Sequence, residues 1–105
     1  MNFGFTDRQK NLLKHILSKY IGSGAVIVYG SRANGKYTER SDVDLVIRGC
    51  NENSERLLLS IKDEIDESDF PFLVDIQYYE SIKNPELINH INHVGKIIFE
   101  CGKAH

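Results

Sequence analysis

Two short apolar runs joined by a polar link set the strongest constraint on how this chain can fold. The first run, residues 25–29, is rich in β-branched residues and ends at Gly30-Ser31. The second run opens with Asp42-Val43-Asp44. Short continuous apolar runs of this kind are typical of buried strands. We therefore expect two strands, with a glycine turn at the end of the first and a carboxylate pair at the start of the second.

The remaining periodicities predict helices that alternate with strands. Thr6 and Gln9 have the spacing of a capping box, and Asn84-Pro85 is typical of a helix start. Helices are predicted from Thr6 to a stop at Gly22 and Gly24, over 31–34, over 55–67, and from Asn84 to Gly95; strands are predicted over 25–29, 42–48, 72–78 and 96–100, with a turn over 49–53. This order favours an α/β or α+β layer with a mixed sheet. The twelve-residue link between the first two strands also allows an antiparallel pair.

Length and composition set the broad class. The chain has 105 residues, which suits a single domain over 1–105. Its net charge of −2 argues against a general nucleic-acid binder, which usually presents a basic face. The longest apolar runs are about five residues, far short of the roughly 20 that cross a bilayer. We also expect no signal peptide, free thiols at Cys50 and Cys101, and a cytoplasmic location with no membrane partner.

Three aspartates are candidate ligands for a metal ion. If Asp42 and Asp44 lie two apart on a strand, their carboxylates share one face, roughly 6.5–7 Å apart at the backbone. Two like charges on one face favour a bound cation, and Mg²⁺ prefers oxygen ligands. Asp75 lies within the third apolar run. If that strand lies beside the second, Asp75 would complete the cluster and could also act as a general base. The alternative for Asp42 and Asp44 is that they are solvated residues at the start of a strand. The alternatives for Asp75 are that it lies on the solvent-facing side of the sheet or forms a salt bridge.

The glycine turn is a candidate phosphate site. Gly30 lets a phosphate approach the backbone closely, and the Ser31 hydroxyl and the forked Arg32 guanidinium can donate to the same phosphates. The alternative is an ordinary tight turn. His90 and His93 are three apart on a predicted helix, but no other His or Cys has matching spacing, so we expect them on the surface or facing a partner.

Together these residues resemble a known signature. Gly30-Ser31, a ten-residue gap, Asp42-Val43-Asp44 and a later Asp75 are similar to the motif of the DNA polymerase β-like nucleotidyltransferase superfamily. The local forms G-S-R-A-N-G and S-D-V-D-L resemble its minimal nucleotidyltransferases, the MNT type. The resemblance covers nearly the whole chain. Asn34 departs from it, because an Arg is common at that position.

The resemblance implies a mixed-sheet nucleotidyltransferase fold and transfer of AMP from ATP to a hydroxyl, with a pair of Mg²⁺ ions. Asp42, Asp44 and Asp75 would hold the metal, Asp75 would be the candidate base, and Gly30 and Ser31 would hold the triphosphate. It also implies a HEPN-domain toxin as acceptor and partner, in a type VII-like toxin–antitoxin pair. Two alternatives stay open: a non-catalytic module that neutralises a HEPN partner by docking alone, and a subunit of an antibiotic nucleotidyltransferase.

Overall fold

The computed structural model describes residues 3–50 and 54–102, which form one sheet with helices on both faces. The helices are α1 (Asp7–Tyr20), α2 (Ser31–Asn34), α3 (Glu55–Glu67) and α4 (Pro85–Val94), the strands are β1 (Gly24–Tyr29), β2 (Val43–Arg48), β3 (Val74–Tyr78) and β4 (Lys96–Cys101), and a 3-10 helix spans Tyr79–Ser81. In the described ranges, no helix has both the length and the apolar character needed to cross a membrane.

The sheet is mixed, as the alternation of elements predicted. Its strand order is β3-β2-β1-β4. β1 runs antiparallel to both β2 and β4, so the antiparallel option left open by the link between the first two strands is the one adopted. β2 and β3 are parallel because α3 carries the chain back across the sheet between them. The strand with the carboxylate pair is therefore a direct neighbour of the strand that carries Asp75.

The two faces of the sheet are covered unequally. The inner face packs against α1 and α3 and forms the main core, which includes Val43, Leu45, Val74 and Ile76. Side chains alternate along a strand, so residues 44 and 75 point to the outer face. A smaller apolar cluster covers part of that face and consists of Ile27, Tyr29, Val46 and Ile91. The carboxylates thus lie on the thinly covered side of the sheet.

Side-chain caps fix the helix starts. In the capping box the Thr6 hydroxyl accepts from the Gln9 backbone N–H at 3.0 Å, and the Gln9 side chain accepts from the Thr6 N–H at 2.9 Å, as predicted. The predicted glycine stop of α1 was wrong. The helix ends at Tyr20 with Ile21 as its C-cap in an extended conformation, and Gly24 already belongs to β1.

Two strand starts also fall later than predicted. β2 and β3 pair from Val43 opposite Val74, so Asp42 precedes β2 and residues 72 and 73 precede β3. The period-two argument for Asp42 and Asp44 does not apply for this reason. Of the turn predicted over 49–53, residues 51–53 lie outside the described part of the chain. Cys50 and Cys101 are free thiols, as expected.

Candidate active site

The site is built around two aspartates on neighbouring strands. Asp44 lies opposite Asp75 in the parallel register of β2 and β3. Neighbouring strands are about 4.8 Å apart, so the two carboxylates share one small area of the outer face. Asp44 is partly buried, whereas Asp75 is exposed. The cost of burying a charge, one reason for singling out Asp75 from the sequence, therefore does not apply to it.

The environment of Asp44 disfavours its negative charge. Burial raises the pKa of the Asp44 carboxyl above its ordinary value, and the charges of Asp75 and Asp42 raise it further. A positive charge on His90 would act in the opposite direction. Across residues 3–50 and 54–102, no hydrogen bond or ion pair to the Asp44 carboxylate compensates this charge. A bound cation would relieve the repulsion.

The glycine turn lies directly against this carboxylate. Gly30 has φ 76° and ψ −155°, a region that is essentially restricted to glycine. A Cβ at this position would collide with the carboxylate oxygen of Asp44. The Gly30 carbonyl accepts from the backbone N–H groups of Ala33 and Asn34, each at 3.1 Å, which starts α2. Because Gly30 has no side chain, the Asp44 carboxylate fits against the turn. Ser31, the next residue of the turn, is partly buried.

His90 is partly buried and lies against the glycine turn, a contact that its interpretation as a surface or partner-facing residue did not include. The Gly30 N–H donates to His90 Nε2 at 3.2 Å, and the His90 ring meets Tyr29 edge-on with centroids 6.2 Å apart. His93 is exposed, as expected. One signal was available in the sequence: His90 is three residues after Leu87, which puts it on the apolar side of α4.

The expectation that the Arg32 guanidinium donates to the phosphates is corrected by the structure, because this side chain is buried and points away from the site. Only 1% of it is exposed. Its guanidinium donates to the Ser41 carbonyl from Nε at 3.1 Å and from Nη2 at 2.9 Å, and to the Phe3 carbonyl from Nη1 at 2.9 Å. It also lies 4.0 Å from the ring centroid of Phe72. Because Ser41 precedes Asp42, this buried arginine fixes the chain where it enters the site.

Tyr29 forms the floor of the site. It lies opposite Asp44 in the antiparallel register of β1 and β2, and its ring is buried. Its hydroxyl accepts from the Gln77 side chain at 2.9 Å. Burial raises the pKa of the Tyr29 hydroxyl; the hydrogen bond from Gln77 lowers it in part, and the charges of Asp44 and Asp75 raise it again. The phenol is therefore held in its neutral form beneath the carboxylates.

The chemistry of the donors fits a hard divalent cation. Carboxylate oxygens are the ligands that Mg²⁺ prefers, and Mg²⁺ commonly completes its shell with water and substrate phosphates. In the described ranges, no three His, Cys, Asp or Glu side chains are already gathered as a metal site. Asp44 and Asp75 are in register, and Asp42 lies just before β2. These three are the residues that would hold the ion.

The sequence pattern of the family described as Polymerase beta, Nucleotidyltransferase matches residues 11–103. The chain therefore belongs to this nucleotidyltransferase family, and its mixed four-stranded sheet is consistent with the family fold. No curated protein sequence matches it.

Several solved structures share the fold, including two toxin–antitoxin structures. One is a toxin–antitoxin with AMP-PNP: it is 15% identical with a TM-score of 0.70, and the match covers 90% of this chain and 74% of that one. The other is a tri-AMPylated Shewanella oneidensis HEPN toxin in complex with an MNT antitoxin: it is 14% identical with a TM-score of 0.66, and the match covers 89% of this chain and 71% of that one. At these identities the likeness shows the fold alone.

Proposed function

We propose that this protein transfers AMP from ATP to a hydroxyl group of a HEPN-domain partner, and that it acts as the antitoxin of the pair. One observation carries the proposal: uncompensated carboxylates on β2 and β3 lie in register, and a glycine turn packs against one of them. This arrangement suits a metal–triphosphate complex, because the acids attract the cation while the turn gives phosphates access to the backbone.

Each site residue has a distinct part in the proposed reaction. Asp42, Asp44 and Asp75 would hold the Mg²⁺ ions, and the ions would neutralise charge on the triphosphate. Gly30 and Ser31 contact the triphosphate through the backbone and the hydroxyl. The acceptor oxygen attacks the α-phosphorus, the bond to the bridging oxygen of the β-phosphate breaks, and pyrophosphate leaves. Asp75 takes the proton of the acceptor hydroxyl, a role that suits an exposed carboxylate at the edge of the sheet.

A protein acceptor agrees with the open shape of the site. Asp75 is exposed on β3, and β3 is an edge strand of the sheet. A macromolecule can therefore bring its hydroxyl to the carboxylates from outside. The structural neighbours include a complex described as a tri-AMPylated HEPN toxin with an MNT antitoxin, which supports this class of acceptor.

Label transfer tests the proposal. ATP labelled at the α-phosphate and ATP labelled at the γ-phosphate are each incubated with Mg²⁺, the protein and a native cell extract. We expect one protein band labelled only from the α position. The band should disappear with the Asp42→Ala/Asp44→Ala double variant and persist with Asp63→Asn/Asp66→Asn, which removes the same number of charges from the exposed side of α3. A band that depends on the added protein and on Asp42 and Asp44, but is labelled from the γ position, would contradict nucleotidyl transfer.

Docking without catalysis is the second candidate function. Its support is that the described side chains hold no ready-made group of three metal ligands. Co-expression with the HEPN partner separates the two functions. If the Asp42→Ala/Asp44→Ala variant still neutralises the partner fully, contact is sufficient; if neutralisation is lost while the complex still forms, catalysis is required.

A further inference from the structure

We propose that His90 is a positioning residue that holds the glycine turn against Asp44 and so ties the nucleotide site to α4. The inference rests on the function proposed above. Its starting point is the hydrogen bond from the Gly30 N–H to His90 Nε2, at 3.2 Å, between residues that lie 60 positions apart. Apart from this bond, α4 packs on β1 mainly through apolar contacts around Ile91.

The bond defines the chemical form of the imidazole. To accept at Nε2 the ring must be neutral, with its hydrogen on Nδ1. Its orientation is fixed by the edge-on contact with Tyr29, where the two ring planes meet at 79°. Tyr29 is in turn held by the hydrogen bond from Gln77. His90 is therefore held in place by packing as well as by its own hydrogen bond.

The turn has a specific need for this acceptor. Gly30 adopts a backbone conformation open to glycine alone, and glycine has the greatest freedom to leave it. The Asp44 carboxylate lies beside the same residue. Without His90, this carboxylate becomes the competing acceptor for the Gly30 N–H. By satisfying that N–H, His90 keeps the carboxylate free for a cation and the turn in the shape that admits phosphate.

Three variants and the Gly30 amide signal test the inference. His90→Ala removes the acceptor, His90→Gln supplies a side-chain carbonyl at a similar reach, and His93→Ala is the matched control on the exposed side of the same helix. The amide shift and hydrogen exchange of Gly30 are measured by NMR without nucleotide. Affinity for Mg²⁺·ATP is measured by calorimetry, and kcat and KM are measured by label transfer.

We expect His90→Ala to shift the Gly30 amide and to lower the affinity for Mg²⁺·ATP by about tenfold, as for loss of one ordinary hydrogen bond. His90→Gln should restore most of the wild-type Gly30 amide shift and most of the affinity for Mg²⁺·ATP, and His93→Ala should change neither quantity. An unchanged Gly30 amide in His90→Ala would overturn the inference. Tighter Mg²⁺·ATP binding would also overturn it, because His90 would then compete with phosphate instead of holding the turn.

The inference and the proposed function can fail separately. If the wild-type protein binds Mg²⁺·ATP but transfers no label, the proposed function fails, while the Gly30 amide and the affinity series still decide the role of His90. If label is transferred and His90→Ala leaves the affinity, kcat and KM within about twofold of wild type, a factor worth well under one ordinary hydrogen bond, the positioning role fails and the function stands.

Discussion

Asp44 and Asp75 lie opposite each other in the parallel register of β2 and β3, and no described side chain neutralises either of them. The fold therefore maintains a local repulsion on the outer face of its sheet. A sequence selected for stability alone would replace one of the pair, so the repulsion has a cost in stability that can be measured.

Asp44→Asn should stabilise the metal-free protein near neutral pH. The pKa of the Asp44 carboxyl is raised by burial and by its acidic neighbours, so the folded state binds the proton more tightly than the unfolded state does. Ionised Asp44 thus destabilises the fold above the raised pKa, and this effect disappears as the pH falls through it. The Tm difference between the variant and wild type, measured in EDTA, should shrink as the pH is lowered. A Tm difference that stays constant as the pH is lowered would contradict this effect.

Mg²⁺ should stabilise the wild-type protein through the same carboxylates. A ligand that binds only the folded state adds about 1.4 kcal/mol at tenfold excess over its Kd. We expect Tm to rise with Mg²⁺ concentration in wild type and in Asp66→Asn, and to stay flat in Asp44→Asn and Asp75→Asn. An equal rise in all four proteins would indicate nonspecific binding and count against the aspartate site.

Gly30→Ala should damage both stability and turnover. An alanine there is strained by about 1–3 kcal/mol, and its methyl group must also displace the Asp44 carboxylate. Gly35→Ala is the matched control, because Gly35 also has a positive φ, of 83°, but open space around its Cβ position. We expect both variants to lose stability in urea unfolding. Only Gly30→Ala should lower kcat, by about 100-fold, since small displacements at a reacting centre have effects of this size.

Arg32→Lys should destabilise the protein by about 2–4 kcal/mol, because a lysine cannot reproduce the forked hydrogen bonds of a buried guanidinium. The lost donors serve the Ser41 and Phe3 carbonyls. Urea unfolding measures the loss, and Arg40→Lys, in the exposed loop between α2 and β2, should change stability by less than about 0.5 kcal/mol. Equal effects of the two substitutions would contradict a structural role for Arg32.

The helix starts were readable from the sequence because their causes are local. The Thr6 and Asn84 side chains cap the backbone two or three residues ahead of them, so a short motif carries the whole signal. The strand starts were less accurate. The first residues of β2 and β3 are set by where the two strands begin to pair, a relation between distant segments that no local pattern records.

In the site, too, the residues that belong to a local motif could be predicted, whereas those whose contacts depend on distant segments could not. The glycine turn and the aspartates stand out as a spaced motif, and the structure brings Gly30, Asp44 and Asp75 together. The histidine was missed because its partner is 60 residues away. Arg32 was misread because an arginine after a glycine turn looks the same in sequence whether it reaches outward to a phosphate or inward to carbonyl groups.

Because the Arg32 side chain points into the protein, the first described residues of the chain are part of the support for the site. Phe3 supplies a carbonyl to the guanidinium, and the Phe5 ring packs 5.7 Å from that of Phe72. Chain ends usually tolerate trimming or fusion of a tag. Here, removing residues 3–5 would take away the Phe3 carbonyl that accepts from the buried Arg32 guanidinium and the Phe5 ring that packs on Phe72. The chain that leads into Asp42 would lose this support.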